Sequence, residues 1–322
     1  MIYSRIEGAG RHLPSKILTN FDLEKMVDTS DEWIKTRTGV ERRHIAGDDQ
    51  STSDIGFEAA RKAIENSGIN KEDIDLIVVG TTTPDFIFPN VATLIQDKLG
   101  IHGCPAFSVE AACSGFIYAM SVADKFVKTG SSKCALVIGA EVMTKLIDWT
   151  DRSTCVLFGD GAGAVILKPS TDAGIIDCTI GADGQYKDLL LYPAGPSRDF
   201  KKVGTSDVNL IMNGNDVFKV AVRTLGRVAE DSLRNNGIDK KELDWLVPHQ
   251  ANLRIIQATA KRLELPLDKV ILTVQDHGNT SSASIPMALD VGIEDGRIQR
   301  GQLILMEGFG GGFTWGTVLM RY

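Results

Sequence analysis

Gly68-Ile69-Asn70-Lys71-Glu72-Asp73-Ile74-Asp75-Leu76-Ile77-Val78 and Gly237-Ile238-Asp239-Lys240-Lys241-Glu242-Leu243-Asp244-Trp245-Leu246-Val247 match position by position at one constant offset. Outward from this pair the correspondence continues. An amphipathic helix is expected before each copy, over 52–67 and 216–236, and a second helix follows near 89–99 and 252–264. Ala60, Ile64 and Asn66 stand against Ala229, Leu233 and Asn235 at the same offset. The turn around Cys113 has its counterpart in His277-Gly278-Asn279-Thr280-Ser281-Ser282; the strand-like Lys133–Glu141 parallels Gln302–Glu307, and Gly161–Leu167 parallels Trp315–Met320. Strands alternating with helices in two similar halves imply a duplicated α/β unit, with a mostly parallel sheet in each half and helices layered on its faces. A pseudo-twofold axis then relates residues 1–172, which carry Cys113, to residues 173–322, which carry His249 and Asn279. Ligands of such sheets bind outside strand carboxyl ends, so the loops after Val78, Val109, Val247 and Val274 should meet. Cys113, His249 and Asn279 are expected to converge there.

In Val109-Glu110-Ala111-Ala112-Cys113-Ser114-Gly115-Phe116, a β-like run from Ala106 reaches a crowded turn and then a helix over Gly115–Lys128. A cysteine at a helix start faces unpaired N–H groups that favour an anion, which lowers a thiol pKa and makes a nucleophile. A buried structural cysteine is the alternative. His249, just past a buried strand, would by itself be a loop or core residue, and Asn279 a helix cap. In Glu307-Gly308-Phe309-Gly310-Gly311-Gly312-Phe313-Thr314-Trp315-Gly316, the glycines let backbone N–H groups approach a ligand, or simply make a tight turn. Gly159-Asp160-Gly161-Ala162-Gly163 lacks the third glycine of a dinucleotide fingerprint, and the strand-like Ala164–Leu167 follows it. Trp33, Arg37 and Arg152 suit a phosphorylated ligand, and Lys219, Arg254, Lys261 and Arg262 form a basic patch; the alternative for both groups is a solvated face.

Composition narrows the classes. The 322 residues are 43% hydrophobic and 24% charged, with a net charge of −7. That balance argues against a nucleic-acid or anionic-membrane binder. The opening Met1-Ile2-Tyr3-Ser4-Arg5 lacks the pattern of a secretory signal, and no apolar run is long enough to span a bilayer, so a cytoplasmic protein is expected. The five cysteines are scattered and odd in number, against a disulfide framework or zinc site. Residues 20–50, 143–160 and 183–215 read as long, functional loops.

Gly39-Val40-Glu41-Arg42-Arg43, Ala111-Ala112-Cys113-Ser114-Gly115, His249-Gln250-Ala251-Asn252, Gly278-Asn279-Thr280-Ser281-Ser282-Ala283-Ser284-Ile285-Pro286 and Gly308-Phe309-Gly310-Gly311-Gly312 together resemble the successive signatures of β-ketoacyl-acyl-carrier-protein synthase III, the initiating condensing enzyme of type II fatty acid synthesis. The resemblance implies the thiolase fold, a homodimer, and no metal or redox cofactor, with acyl-coenzyme A and malonyl-acyl-carrier protein as substrates. It makes Cys113 the acylated nucleophile and His249 and Asn279 the donors to the malonyl thioester carbonyl. Backbone N–H groups of Cys113 and Gly311 would form the oxyanion hole. Trp33 and Arg152 would sandwich adenine and Arg37 would meet phosphate. Met212, Gly214, Phe218, Asn252 and Phe309 would line the pantetheine tunnel, and Phe88 would cap the acyl pocket of the other subunit. Lys219, Arg254 and Lys261 would receive the carrier protein. The alternatives are a related ketosynthase of a secondary-metabolite pathway, hydroxymethylglutaryl-coenzyme A synthase with Glu110 as its acid, a Cys-His-Asn thioester hydrolase, and a silent structural partner.

Overall fold

The structure, a computed structural model, describes residues 2–322; Met1, in the opening stretch read above, lies outside them. In chain order the strands are β1 Tyr3–His12, β2 Lys16–Thr19, β3 Arg42–Ile45, β4 Leu76–Gly80, β5 Ala106–Val109, β6 Ala135–Val142, β7 Asp160–Ser170, β8 Ile175–Ala182, β9 Leu190–Leu191, β10 Ile211–Met212, β11 Trp245–Pro248, β12 Leu303–Gly310 and β13 Thr314–Arg321. The helices are α1 Asn20–Leu23, α2 Asp31–Thr38, α3 Thr52–Ser67, α4 Val91–Leu99, α5 Gly115–Lys128, α6 Gly214–Asn235, α7 Leu253–Arg262, α8 Val274–His277 and α9 Ser284–Glu294.

One sheet runs β1-β7-β6-β4-β5 and the other β11-β12-β13-β8. Strands β4 and β6 pair in parallel from Leu76↔Ala135, and β11 and β12 from Trp245↔Ile304, which is the same offset of 169 residues that separates Gly68 from Gly237. The sheets are not mostly parallel, as the alternation of strands and helices suggested. β7 lies antiparallel to both β1 and β6, and β13 to both β12 and β8. For β13 the cause is the connection: β12 turns into β13 over three residues, and a tight hairpin can join only antiparallel strands, whereas a parallel neighbour needs a helical crossover. The repeat also decays at the outer edge. Where the second half should repeat β5 it forms the short helix α8, so Val274 ends no strand, and only the bridge Leu246↔Val270 remains of the ladder.

Helices α5 and α9 are buried between the two sheets, and one apolar cluster runs through them: Leu76 and Val78 from the first sheet, Val247, Ile304 and Met306 from the second, with Phe116, Met120, Ile285 and Leu289 between. Helices α3 and α4 cover the outer face of the first sheet, and α6 and α7 that of the second. The result is five layers with a thiolase-like duplication. Because α5 and α9 are buried along most of their length, their positions are fixed by packing, and so are the turns that open them. Close approach fixes them further. A β-carbon on Gly80 would lie 2.5 Å from the carbonyl carbon of Gly115, so only glycine at residue 80 lets the start of α5 rest on the end of β4.

Candidate active site

Each inner helix is entered by a single turn of 3-10 helix, Ala112–Ser114 before α5 and Ser281–Ala283 before α9. The residue opening each turn is left-handed, with φ 45° at Ala112 and 50° at Ser281, a conformation that costs a non-glycine residue energy and concentrates at functional sites. The same side-chain bond props both turns. The Glu110 carboxylate accepts the Ala112 N–H at 3.2 Å, and Asn279 Oδ1 accepts the Ser281 N–H at 2.9 Å.

Cys113 is buried in the first turn. Ser114 Oγ donates to the Ala111 carbonyl at 2.8 Å, and Thr314 Oγ1 donates to the same carbonyl at 2.9 Å, which ties the turn to the β12–β13 hairpin. Gly310 presses on the nucleophile's own amide: a β-carbon there would lie 2.6 Å from Cys113 N. Gly311, one residue past the end of the β12–β13 ladder, faces Ala112 and the Leu190 carbonyl. Burial pushes the thiol up to about 12; the Ser281 hydroxyl opposes this, and the nearby Glu141 carboxyl adds to it.

His249 follows β11, its N–H donating to the Glu307 carbonyl at 2.8 Å, and its imidazole is buried. Burial pushes that ring down to about 3, so it is neutral. Its Nδ1 lies 2.7 Å from Ser284 Oγ at the start of α9, and the Gln250 N–H donates to that same oxygen at 3.2 Å. With the serine oxygen accepting from Gln250, its proton is directed to Nδ1, and this network assigns the ring proton to Nε2. Gln250 is locked in turn, donating to the Pro248 and Ile271 carbonyls and accepting from Thr273 N. Asn279 is buried, its N–H donating to the Leu157 carbonyl at 2.8 Å and its carbonyl accepting from Gly159 N at 3.0 Å. Since Oδ1 is taken by Ser281, the carboxamide presents N–H₂ as its free end. Asn279 holds the Ser281 amide and His249 holds Ser284, and a β-carbon on Gly115, two residues past Cys113, would lie 3.2 Å from the Ser282 β-carbon, so the nucleophile's turn packs on the four-residue segment that holds both donors.

Two buried carboxyls near the site escaped the sequence reading. Glu141 accepts from the Thr83 hydroxyl at 2.7 Å, the Thr82 N–H at 3.1 Å and the Ser281 hydroxyl at 3.1 Å; the Ser282 oxygen lies 3.1 Å away, its proton shared with the nearer Gly80 carbonyl at 2.7 Å. Glu307 has no well-formed hydrogen bond at either oxygen, only the Thr259 hydroxyl within reach, and burial pushes its carboxyl up to about 8. The signal for both is an acid inside an otherwise apolar strand, Ala135-Leu136-Val137-Ile138-Gly139-Ala140-Glu141 and Leu303-Ile304-Leu305-Met306-Glu307.

The expected coenzyme-binding residues lie nearer the surface. Arg152 and Arg37 have guanidinium carbons 5.1 and 5.8 Å from the Trp33 ring centroid, and Arg152 donates to the Asp28 carbonyl at 2.7 Å. At 5.1 Å there is no room for a planar base between Trp33 and Arg152, so the two stack on each other in place of the expected sandwich. Asn252 caps α7, accepting the Arg254 N–H at 2.9 Å and donating to the Arg37 carbonyl at 3.0 Å. Arg254 lies 5.1 Å from the Phe218 ring, and Lys219 pairs with Asp216 at 3.1 Å. Met212 lies in β10, Gly214 opens α6, and Phe309 packs on Phe313 with centroids 4.6 Å apart. Lys261 lies in the last turn of α7. Phe88 is 83% exposed beside exposed Phe86 and Ile87, so within one chain it caps nothing.

Known proteins share this fold and much of this sequence. Residues 107–184 match the family profile described as 3-oxoacyl-[acyl-carrier-protein (ACP)] synthase III, and residues 233–322 match the profile of its C-terminal part. The chain is 60% identical over 321 residues to the beta-ketoacyl-[acyl-carrier-protein] synthase III of Xanthomonas campestris pv. campestris, covering 100% of this chain and 99% of the relative. It is 56% identical to that of Thioalkalivibrio sulfidiphilus over the whole of both chains. Among solved structures, 3-oxoacyl-[acyl-carrier-protein] synthase III from Aquifex aeolicus VF5 superimposes with a TM-score of 0.93 at 46% identity, over 99% of this chain and all of the other. The priming β-ketosynthase of the R1128 polyketide pathway gives 0.94 at 37% identity, covering 99% and 96%.

Proposed function

This chain belongs to the 3-oxoacyl-[acyl-carrier-protein] synthase III family, and from that membership and the geometry above we propose how it performs the initiating condensation of fatty acid synthesis. Cys113 attacks the thioester of an acyl-coenzyme A primer, acetyl or short branched acyl, and carries the acyl group as an enzyme thioester, while coenzyme A leaves and its sulfur takes up the proton that the Cys113 thiol gives up. Malonyl-acyl-carrier protein then enters. His249 Nε2–H and the Asn279 N–H₂ donate to its thioester carbonyl, where negative charge grows as CO₂ leaves and an enolate forms. The enolate carbon attacks the acyl carbonyl on Cys113, whose oxyanion is held by the N–H groups of Cys113 and Gly311. The tetrahedral intermediate collapses, Cys113 leaves as the thiolate, the 3-oxoacyl-carrier protein departs, and a proton from solvent restores the thiol. The observation that carries this reading is a histidine held neutral by burial, with Ser284 on its Nδ1. Such a ring is a hydrogen-bond donor. With Nδ1 taken by Ser284, Nε2 carries the ring proton and has no lone pair with which to take a thiol proton, as a cysteine hydrolase requires.

The chain's own residues supply every group in that sequence of steps, and none of them calls on a metal or redox cofactor. Trp33, Arg37 and Arg152 bind the nucleotide end of coenzyme A once Arg152 swings off Trp33. Met212, Gly214, Phe218, Asn252 and Phe309 line the way in, and Lys219, Arg254 and Lys261 dock the acidic carrier. A homodimer is supported by the sheet edge at β5, which is only half-buried, and by the exposed Phe86-Ile87-Phe88; Phe88 then caps the partner's acyl pocket. The free state of all five cysteines suits the cytoplasm. The R1128 likeness favours a second reading, priming of a polyketide pathway. Incubation with acetyl-coenzyme A and radiolabelled malonyl-carrier protein tests the reaction: release of CO₂ together with acetoacetyl-carrier protein is expected, while thioester hydrolysis without a new carbon–carbon bond sinks it.

A further inference from the structure

His249 reaches the site from the exit of β11 and Asn279 from beyond α8, so the two donors act together only if those segments keep a fixed separation. In the first half the equivalent segments are joined by backbone. β4 pairs with β5 from Ile77↔Ala106 to Gly80↔Val109, and the Thr81 N–H extends the ladder to the Val109 carbonyl at 3.2 Å. In the second half α8 stands in place of β5, and the bridge Leu246↔Val270 is what remains of that ladder. Gln250, at the position that corresponds to Thr81, spans the gap with its side chain. Its wholly buried carboxamide donates to the Pro248 carbonyl at 2.8 Å and the Ile271 carbonyl at 3.0 Å. Its oxygen accepts from the N–H groups of Thr273 at 2.9 Å and Val274 at 3.1 Å.

Those bonds use both donors and both lone pairs of the carboxamide. Thr273 is the cap residue of α8, and its own side chain makes no capping bond. Gln250 therefore supplies, from across the gap, the acceptor that the first N–H groups of a helix lack. A helix of four residues has little stability of its own, so this distant cap fixes where α8 begins, and Gly278 and Asn279 follow directly from its end. The backbone of Gln250 faces the other donor: its N–H donates at 3.2 Å to Ser284 Oγ, the oxygen that lies 2.7 Å from His249 Nδ1.

We propose that Gln250 is a positioning residue for malonyl decarboxylation, its carboxamide setting the spacing between the His249 and Asn279 donors. The role rests on those two side chains being the donors to the malonyl thioester carbonyl. Gln250 meets no substrate and exchanges no proton; it acts through the two segments that it joins. A developing oxyanion gains from two donors only when both are in place, and a misplacement of about 1 Å costs about a hundredfold in rate.

CO₂ release from malonyl-carrier protein between pH 5 and 8, measured for Gln250→Glu and Gln250→Met in the Cys113→Ala background, tests this. Acetylation of Cys113 is measured for the same two substitutions with the cysteine in place. Glutamate keeps the shape, but when ionised it turns lone pairs on the Pro248 and Ile271 carbonyls; when protonated it regains one donor. Its decarboxylation should be about a hundredfold below that of Cys113→Ala alone at pH 8 and recover toward pH 5. The neighbouring titratable groups are His249 and His277, both pushed down to about 3 by burial, Asp276, which pairs with Arg42 at 3.0 Å, and Glu307 on β12, pushed up to about 8. All are common to parent and variant, so the difference between their profiles belongs to the new carboxyl. Methionine gives up every bond of the carboxamide without adding a charge, and serves where the glutamate variant does not fold; its loss should be of similar size and the same at every pH. In both variants kcat should fall with KM for malonyl-carrier protein near the parent's, and Cys113 should acetylate at close to the parent rate, which a general loosening of the site would not allow. Decarboxylation at the parent rate, a glutamate profile as flat as that of methionine, or acetylation lost in step with decarboxylation overturns the positioning role. No CO₂ from Cys113→Ala with Gln250 intact would instead overturn the assignment of the donors beneath it.

Discussion

Replacing Glu307 by glutamine should stabilise the protein, and by an amount that grows with pH. Both carboxyl oxygens are buried without a well-formed hydrogen bond, and burial lifts the group from an ordinary 4.5 to about 8. A carboxyl whose folded pKa lies above its unfolded value holds its proton more tightly when folded. Its contribution is therefore neutral below the unfolded pKa, turns destabilising as pH rises, and levels off past the folded pKa. At about 1.4 kcal/mol per unit, the penalty is roughly 3 kcal/mol at pH 7 and roughly 5 kcal/mol by pH 9. Glutamine has the same shape and no charge to lose, and the otherwise unpartnered Thr259 and Thr317 hydroxyls can accept from its N–H₂. Urea unfolding of both proteins at one protein concentration, at pH 5, 7 and 9, measures the difference directly. The expected pattern is a difference of about 1 kcal/mol or less at pH 5 and an advantage for glutamine that widens by roughly 1 to 2 kcal/mol between pH 7 and 9. An offset that does not change with pH would mean that the carboxyl keeps one charge state throughout. A glutamine variant less stable at pH 9 would mean that an ionised Glu307 is held by partners, and the reasoning would fail.

The reaction can be probed one group at a time. Cys113→Ala should lose condensation yet still decarboxylate malonyl-carrier protein, since His249 and Asn279 remain; CO₂ release without acetoacetyl product is the measurement. His249→Ala or Asn279→Ala in the Cys113→Ala background should each reduce that CO₂ release by about 10² to 10³, the usual cost of one donor to a developing oxyanion. Because burial holds His249 near 3, decarboxylation by Cys113→Ala should be flat with pH between 5 and 8, and a limb near 6.5 would show a ring that titrates freely. Gly310→Ala, whose β-carbon would sit 2.6 Å from Cys113 N, should slow acetylation more than decarboxylation, because it displaces the nucleophile's amide.

How much of this could be read from the residues follows from what each feature depends on. The duplication was legible because the two copies from Gly68 and Gly237 keep both pattern and spacing, and spacing survives where side chains diverge. Sheet direction was not, because the antiparallel return of β7 and β13 depends on whether a connection folds back beside its own strand or crosses the sheet, which alternation of strands and helices does not encode. The chemistry of Cys113 was half legible. Its place at a helix start is written in the chain, but burial, which moves the thiol the other way, is a property of two halves packed together. The stack of Arg152 on Trp33 and the convergence of Ser281 and Ser282 on Glu141 are contacts across 119 and about 140 residues, and no local pattern announces them.

The offset of 169 residues also explains how a symmetric frame holds an asymmetric site. Gly80 and Gly115 of the first half correspond to His249 and Ser284 of the second. In the first half the two glycines let backbone press on backbone, 2.5 Å from where a β-carbon would stand, and no side chain fits. In the second half the same two positions are filled by an imidazole and a hydroxyl 2.7 Å apart. Cys113 in turn corresponds to Ser282, whose hydroxyl donates to the Gly80 carbonyl at 2.7 Å, and Glu110 corresponds to Asn279, each propping its turn by the same bond. Each half thus spends one of two equivalent positions on chemistry and the other on close packing: the first keeps the nucleophile and clears space at Gly80, and the second keeps the donors and turns Ser282 into a tether. A direct consequence is that Ser284→Gly, which restores the packing residue of the first half, should free Nδ1 to take the proton and slow malonyl decarboxylation about tenfold or more, since a ring in the wrong tautomer cannot donate from Nε2. Decarboxylation unchanged in that variant would show that the imidazole is oriented by something other than the serine that the duplication placed beside it.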